Sequence, residues 1–78
     1  MTGYLARSLA GHDKGTLYII IEETDDHVML ADGRYKTLEK PKRKNRKHIQ
    51  LIRTQCPTDS NEAIKHSISN YLRRTMDV

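Results

Sequence analysis

Six cations crowd into eight residues of this chain: Lys40, Lys42, Arg43, Lys44, Arg46 and Lys47, with no acid among them. Arginine forks two hydrogen bonds onto one phosphate and lysine acts as a mobile point charge, so a block of this kind suits a polyanion, most simply a nucleic acid. A second stretch has the same chemistry in another form. Gly11-His12-Asp13-Lys14-Gly15 is a short polar bend with glycine at both ends. Glycine permits backbone angles closed to other residues and leaves amide donors approachable, which phosphates also use. Lys14 adds a charge at the tip, and His12 can stack on a base or hydrogen-bond to phosphate. Asp13 is expected chiefly to hydrogen-bond within its own turn.

Catalytic and metal chemistry find less support. Glu22-Glu23 and Asp25-Asp26 are adjacent pairs, and neighbours on a strand point to opposite faces, so they read as a solvated edge that resists sheet aggregation. His27, His48 and His66 lack paired metal-ligand spacing, and no nucleophile turn surrounds any serine. Cys56 is the single cysteine, which excludes an intrachain disulfide and fits a reducing compartment. No enzyme, cofactor or metal is expected. The start "MTGYLARSLAG" lacks a long apolar run, so no signal peptide is expected, and no stretch approaches a membrane span.

The elements that must position these residues fit one small domain. At 78 residues, without Trp or Phe, the core must be built from Ile, Leu, Val, Met and four tyrosines. The formal charge is +4, and outside the basic block 8 Lys and Arg face 10 Asp and Glu, so the positive excess is local. Tyr4 to Leu9 alternates as a strand, with Leu5 and Leu9 on one face. Leu17 to Ile21 is wholly apolar and β-branched, which predicts cover on both faces or the centre of a strongly curved sheet. His27 to Ala31 is a third strand facing Val28 and Leu30 inward. Asp32-Gly33 predicts a two-residue hairpin into a fourth strand, Arg34 to Leu38, which Pro41 ends. With Tyr35 inward as core, Arg34 and Lys36 face solvent together. The basic stretch follows, then a fifth strand, His48 to Arg53. Five short strands with tight turns predict a small barrel.

The period then changes. Asp59-Ser60-Asn61-Glu62 is close to a capping box, and Ile64, Ile68, Tyr71 and Leu72 recur at helical spacing. Acids at the start and Arg73 and Arg74 at the end suit the helix dipole over about Ser60 to Thr75. The apolar stripe is expected to cover the barrel, with a partner groove or dimer contact as the sharper alternative. The expected organisation is a barrel over 1–53, a linker over 54–58 and a helical segment over 59–78.

"AGHDKGTLYIII" resembles the KOW motif, a strand and glycine-framed loop followed by a β-branched strand, with Gly15 at the motif's defining glycine. The likeness extends through "GYLARSLAG" and "VMLADGRYKTLEKPKRKNRKHIQLI", over roughly residues 3 to 53, and more loosely to "PTDSNEAIKHSISNYLRR". This region is similar to small bacterial KOW-domain RNA-binding proteins, relatives of a large-subunit ribosomal protein of archaea and eukaryotes. The resemblance implies a mainly β, SH3-like five-stranded barrel followed by a C-terminal α-helix. It also implies RNA binding, to ribosomal or other structured RNA, and a link to ribosomes or RNA processing. With the single cysteine and no signal peptide expected, the expected location is the bacterial cytoplasm. The expected RNA-contacting residues are His12, Lys14, Arg34, Lys36, Lys40, Lys42, Arg43, Lys44, Arg46 and Lys47, on a monomer. The alternative is a protein-interaction module that docks on a translation or transcription factor through the barrel face and helix.

Overall fold

A computed structural model of the chain describes residues 2–76. Strands β1 (Tyr4–Ser8), β2 (Leu17–Glu23) and β3 (His27–Ala31) are followed by β4 (Lys42–Asn45), a 3₁₀ turn (Arg46–His48), β5 (Ile49–Gln55) and helix α1 (Asn61–Met76). All pairings are antiparallel, in one sheet of order β4-β3-β2-β1-β5. Among the described residues, no helix is long and apolar enough to cross a membrane.

The apolar run of β2 lies at the centre of the sheet and is covered on both sides, as its composition predicts. On one face Tyr18 and Ile20 join Ala6, Val28 and Leu30, with Ile49 and Leu51 packed beside them. On the other, Ile19 joins Leu5, Ala31 and the fully buried Ile64 of α1, flanked by Ile68 and Tyr71. The helix therefore covers the second face and completes the core. Its N-terminus is capped by Ser60, whose Oγ accepts from the Ala63 amide at 3.1 Å, with Glu62 in the first turn and Arg73 and Arg74 in the last. The cap belongs to Ser60, and Glu62 plays no reciprocal part in it. Leu72 is exposed rather than buried with the stripe.

The sheet is strongly curled. In a flat sheet β4 would lie three strand spacings, about 14 Å, from β1. Yet Lys44 Nζ on β4 reaches Ser8 Oγ on β1 at 2.7 Å, across the concave face that carries Tyr18 and Ile20. A bulge contributes. Ile20 pairs with Leu30 and Glu22 with Met29, which leaves Ile21 as an extra residue and bends β2.

The region after β3 departs from expectation. Residues 34–38 are not a strand, and no two-residue hairpin forms at Asp32-Gly33. Asp32 Oδ1 accepts from the backbone amides of Arg34, Tyr35 and Lys36 at 2.9, 2.9 and 2.8 Å, taking the donors a ladder would need. Tyr35 consequently points outward and is 80% exposed. Gly33 serves a close approach: its φ is +79°, and a Cβ there would overlap the backbone of Asn61 and lie 2.9 Å from the Lys65 amide nitrogen. Asn61 ties the same loop to the helix, accepting from the Leu38 amide at 2.8 Å and donating to Glu39 Oε1 at 2.9 Å. The fourth strand is instead Lys42–Asn45, which Pro41 precedes rather than follows a strand. Glu22 and Glu23 belong to central β2, not to an edge connection, and Leu9 lies beyond β1, 45% exposed. Thr54 and Gln55 continue β5.

The two glycines at 15 and 33 separate conformation from space. Gly15 has φ +91° but open surroundings. Gly15→Ala should cost about 1 kcal/mol, the left-handed penalty alone. Gly33→Ala should cost about 3 kcal/mol, because overlap with the helix adds to it. Urea denaturation of the two variants measures the difference, and equal losses would refute the tight seat of Gly33 on α1.

Candidate nucleic-acid interface

The loop between β1 and β2 is closed by its own backbone. The Gly15 amide donates to Ser8 O at 2.8 Å, Ser8 N to Thr16 O at 3.0 Å, and Thr16 N to Asp13 O at 2.9 Å. Gly11 and Gly15, at φ +89° and +91°, supply the left-handed positions this path requires. The bend stays at the surface: Gly11, His12, Lys14 and Gly15 are all exposed, and Asp13 alone turns inward.

The Asp13 carboxylate is the centre of a compact polar cluster. Oδ1 receives Lys44 Nζ at 2.7 Å and Ser8 Oγ at 2.9 Å; Oδ2 receives the Tyr18 hydroxyl at 2.7 Å and pairs with Lys42 Nζ at 3.0 Å. Burial pushes the carboxyl up, but the bonds from Lys44, Tyr18, Lys42 and Ser8 outweigh it and hold Asp13 well below the usual carboxylate range. Burial, and then the hydrogen bond to Asp13, raise the Tyr18 phenol above its ordinary value. The turn role expected for Asp13 is therefore larger than a local one, since it joins β1, β2 and β4.

This cluster divides the basic block. Strand alternation faces Lys42 and Lys44, opposite Leu30 and Val28, toward the concave side, and turns Arg43, opposite Met29, away. Lys44 is not the surface cation expected of it. Its side chain is 9% exposed, and its three donors are met by Ser8 Oγ, Ala10 O and Asp13 Oδ1 at 2.7, 2.8 and 2.7 Å. Lys42 is partly covered beside it. Arg43, Arg46, Lys47 and Lys40 are exposed. Arg46 donates to Thr24 O at 3.0 Å and lies 3.5 Å from Glu23, which anchors it at the far end of β2. Lys47 lies in the 3₁₀ turn, whose His48 carbonyl accepts the Leu9 amide at 2.8 Å, so this turn adjoins the glycine loop. Arg34 is exposed and Lys36 half-buried in the Asp32 loop.

Two features escape sequence reasoning: the place of Lys65, and the polar partner of Tyr18, whose ring is core as expected. Lys65 lines a groove together with Arg34, and helical spacing alone gives no sign of it. Tyr18 reads as core, although a buried phenol calls for a partner and Asp13 is five residues away. Arg7, on the Leu5 face of β1 and away from this cluster, is half-buried, and its Nε has no hydrogen-bond partner among the described residues. Cys56 is held up by burial, which leaves its thiol protonated at neutral pH. Among the described residues, no three His, Cys, Asp or Glu side chains are placed to share a metal ion.

No family model matches the sequence, and no curated protein matches it at a significant level.

Asp13→Asn keeps the shape but leaves the Lys44 charge enclosed without a counter-charge, and should cost about 3 kcal/mol. Adding Lys44→Met should recover part of that loss, since it removes the stranded charge. The folded-state pKa of Asp13 lies below its unfolded value, so its stabilisation is present above the ordinary carboxylate range and is lost as pH falls through and below it. Urea midpoints taken from about pH 6 down to about pH 2 should fall in the native chain, most steeply below about pH 4, and less in Asp13→Asn. Parallel profiles would remove Asp13 from this role.

Proposed function

We propose that the chain is a non-enzymatic RNA-binding module of the SH3-like KOW barrel type, acting in the bacterial cytoplasm on ribosomal or other structured RNA. The barrel reading is supported by the curl and by chain connectivity. The two edge strands of a flat five-stranded sheet would stand about 19 Å apart. Here β4 and β5 are joined by a 3₁₀ turn of three residues, which rises about 6 Å.

The observation that carries the function is the split of the cations. With Lys42 and Lys44 engaged by Asp13, the remaining basic side chains of the block stay exposed on a scaffold those two hold rigid. Arg43, Arg46 and Lys47, with Lys14 and His12 on the adjoining glycine loop, offer forked and point-charge partners for phosphate. Lys40 and Arg34 extend the surface. Lys44 contributes by fixing the loop instead of touching RNA. Docking on a protein through the helical stripe is less favoured, because Ile64, Ile68 and Tyr71 are already used in the core.

Replacing Lys14, Arg43 and Lys47 with Ala removes three exposed cations and no core contact. Titration of a structured ribosomal RNA fragment over a range of salt should show log K against log salt flattened by about two to three. An unchanged slope rejects this surface. Partners that survive ribonuclease in a pull-down would favour the protein-docking alternative.

A further inference from the structure

Beyond the cationic flank, a groove of about 410 Å³ runs between the end of the glycine loop, the Asp32 loop and α1. We propose that it holds an unstacked nucleobase of single-stranded or bulged RNA, with the base against Tyr35 and the adjoining phosphate between Arg34 and Lys65; this rests on the RNA-binding reading above.

Three features converge there. First, Leu9, Tyr35 and Leu72 are the large apolar side chains left exposed among the described residues, and two of them, Tyr35 and Leu72, line this one groove. An aromatic ring 80% exposed contributes little to the fold and offers a free face. Second, the ring is carried on a backbone that is already ordered, since Asp32 Oδ1 holds the Tyr35 amide at 2.9 Å together with those on either side. A platform fixed beforehand loses less entropy on binding. Third, the groove is amphipathic in the way a nucleotide is. Arg34 and Lys65 supply positive charge, with Lys65 3.2 Å from the Glu62 carboxylate and the lining Asp32 already held by three backbone amides. Ser69 offers a hydroxyl for a base edge, and Leu17, Ile68 and Leu72 apolar surface. Its volume falls within the range of small-molecule sites. Gly15, where a side chain would meet only open space, forms the wall toward the glycine loop, so a strand crossing the Lys14 tip continues into the groove. Bases in an A-form duplex are not available for such stacking, which restricts the occupant to unpaired nucleotides.

The full chain is titrated with two fluorescent probes: a single-stranded oligouridylate of about 12 nucleotides and an RNA duplex of about 16 base pairs. Tyr35→Leu should weaken single-strand binding about tenfold with an unaltered salt slope, and leave duplex binding unchanged. Tyr35→Phe should restore native affinity, because stacking needs the ring and not the hydroxyl. Equal single-strand affinity of native chain and Tyr35→Leu, with salt-dependent binding intact, overturns the groove and leaves the cationic surface standing. Equal weakening toward both probes also overturns it, by showing a general defect. Failure of the native chain to bind either probe overturns both readings.

Discussion

A carboxylate placed among two ammonium groups, a phenol and a serine hydroxyl is what the rest of this molecule depends on. Asp13 gathers Lys42, Lys44, Tyr18 and Ser8 from three strands that are not all neighbours in the sheet. A four-residue strand of sequence Lys-Arg-Lys-Asn has little reason to pair with anything on its own. It becomes a strand because two of its side chains find an enclosed counter-charge on the opposite side of the concavity. The enclosed charges are compensated by hydrogen bonds on every donor of Lys44, the condition under which an ion pair of low exposure holds a structure together.

The same eight residues thus serve two purposes: alternation sorts Lys42, Arg43 and Lys44 within β4, and Lys40, Arg46 and Lys47 lie outside the strand. Inward cations fix curvature and the glycine loop; the others stay exposed, with Arg43 beside His27 and Arg46 beside Thr24 and Glu23. A chain that held all six outward would have a stronger positive field and a looser scaffold. The arrangement gives up part of the field for a loop whose geometry is fixed within the fold.

Much of the scaffold was legible in local sequence. The apolar run at Leu17, the alternation around Val28 and Leu30, and the three-to-four spacing from Ile64 each encode their element within a few residues, and each forms where expected. The segment from Asp32 to Asn45 was not legible, because its structure is decided from far away. Asp-Gly is a hairpin signal only when the following amides are free to pair, and here the aspartate takes three of them. Lys44 meets Asp13 across 31 residues, and Leu38 meets Asn61 across 23. No window read along the chain contains both partners. The candidate site was legible in its composition and not in its division: the cations were visible, but which of them face outward follows from a register that the misplaced fourth strand concealed.

The bond from the Leu38 amide to Asn61, with Gly33 lodged against the first turn of the helix, also bears on the order of assembly. During synthesis the earlier strands emerge first, and domains tend to organise from the N-terminal side. Asp32 can order the turn over residues 32–36 by itself, but Gly33, Leu38 and Glu39 find their places against the helix only when residue 61 is present. The loop that carries the exposed tyrosine is therefore tied down only after the basic strand and the first turn of the helix have both been translated.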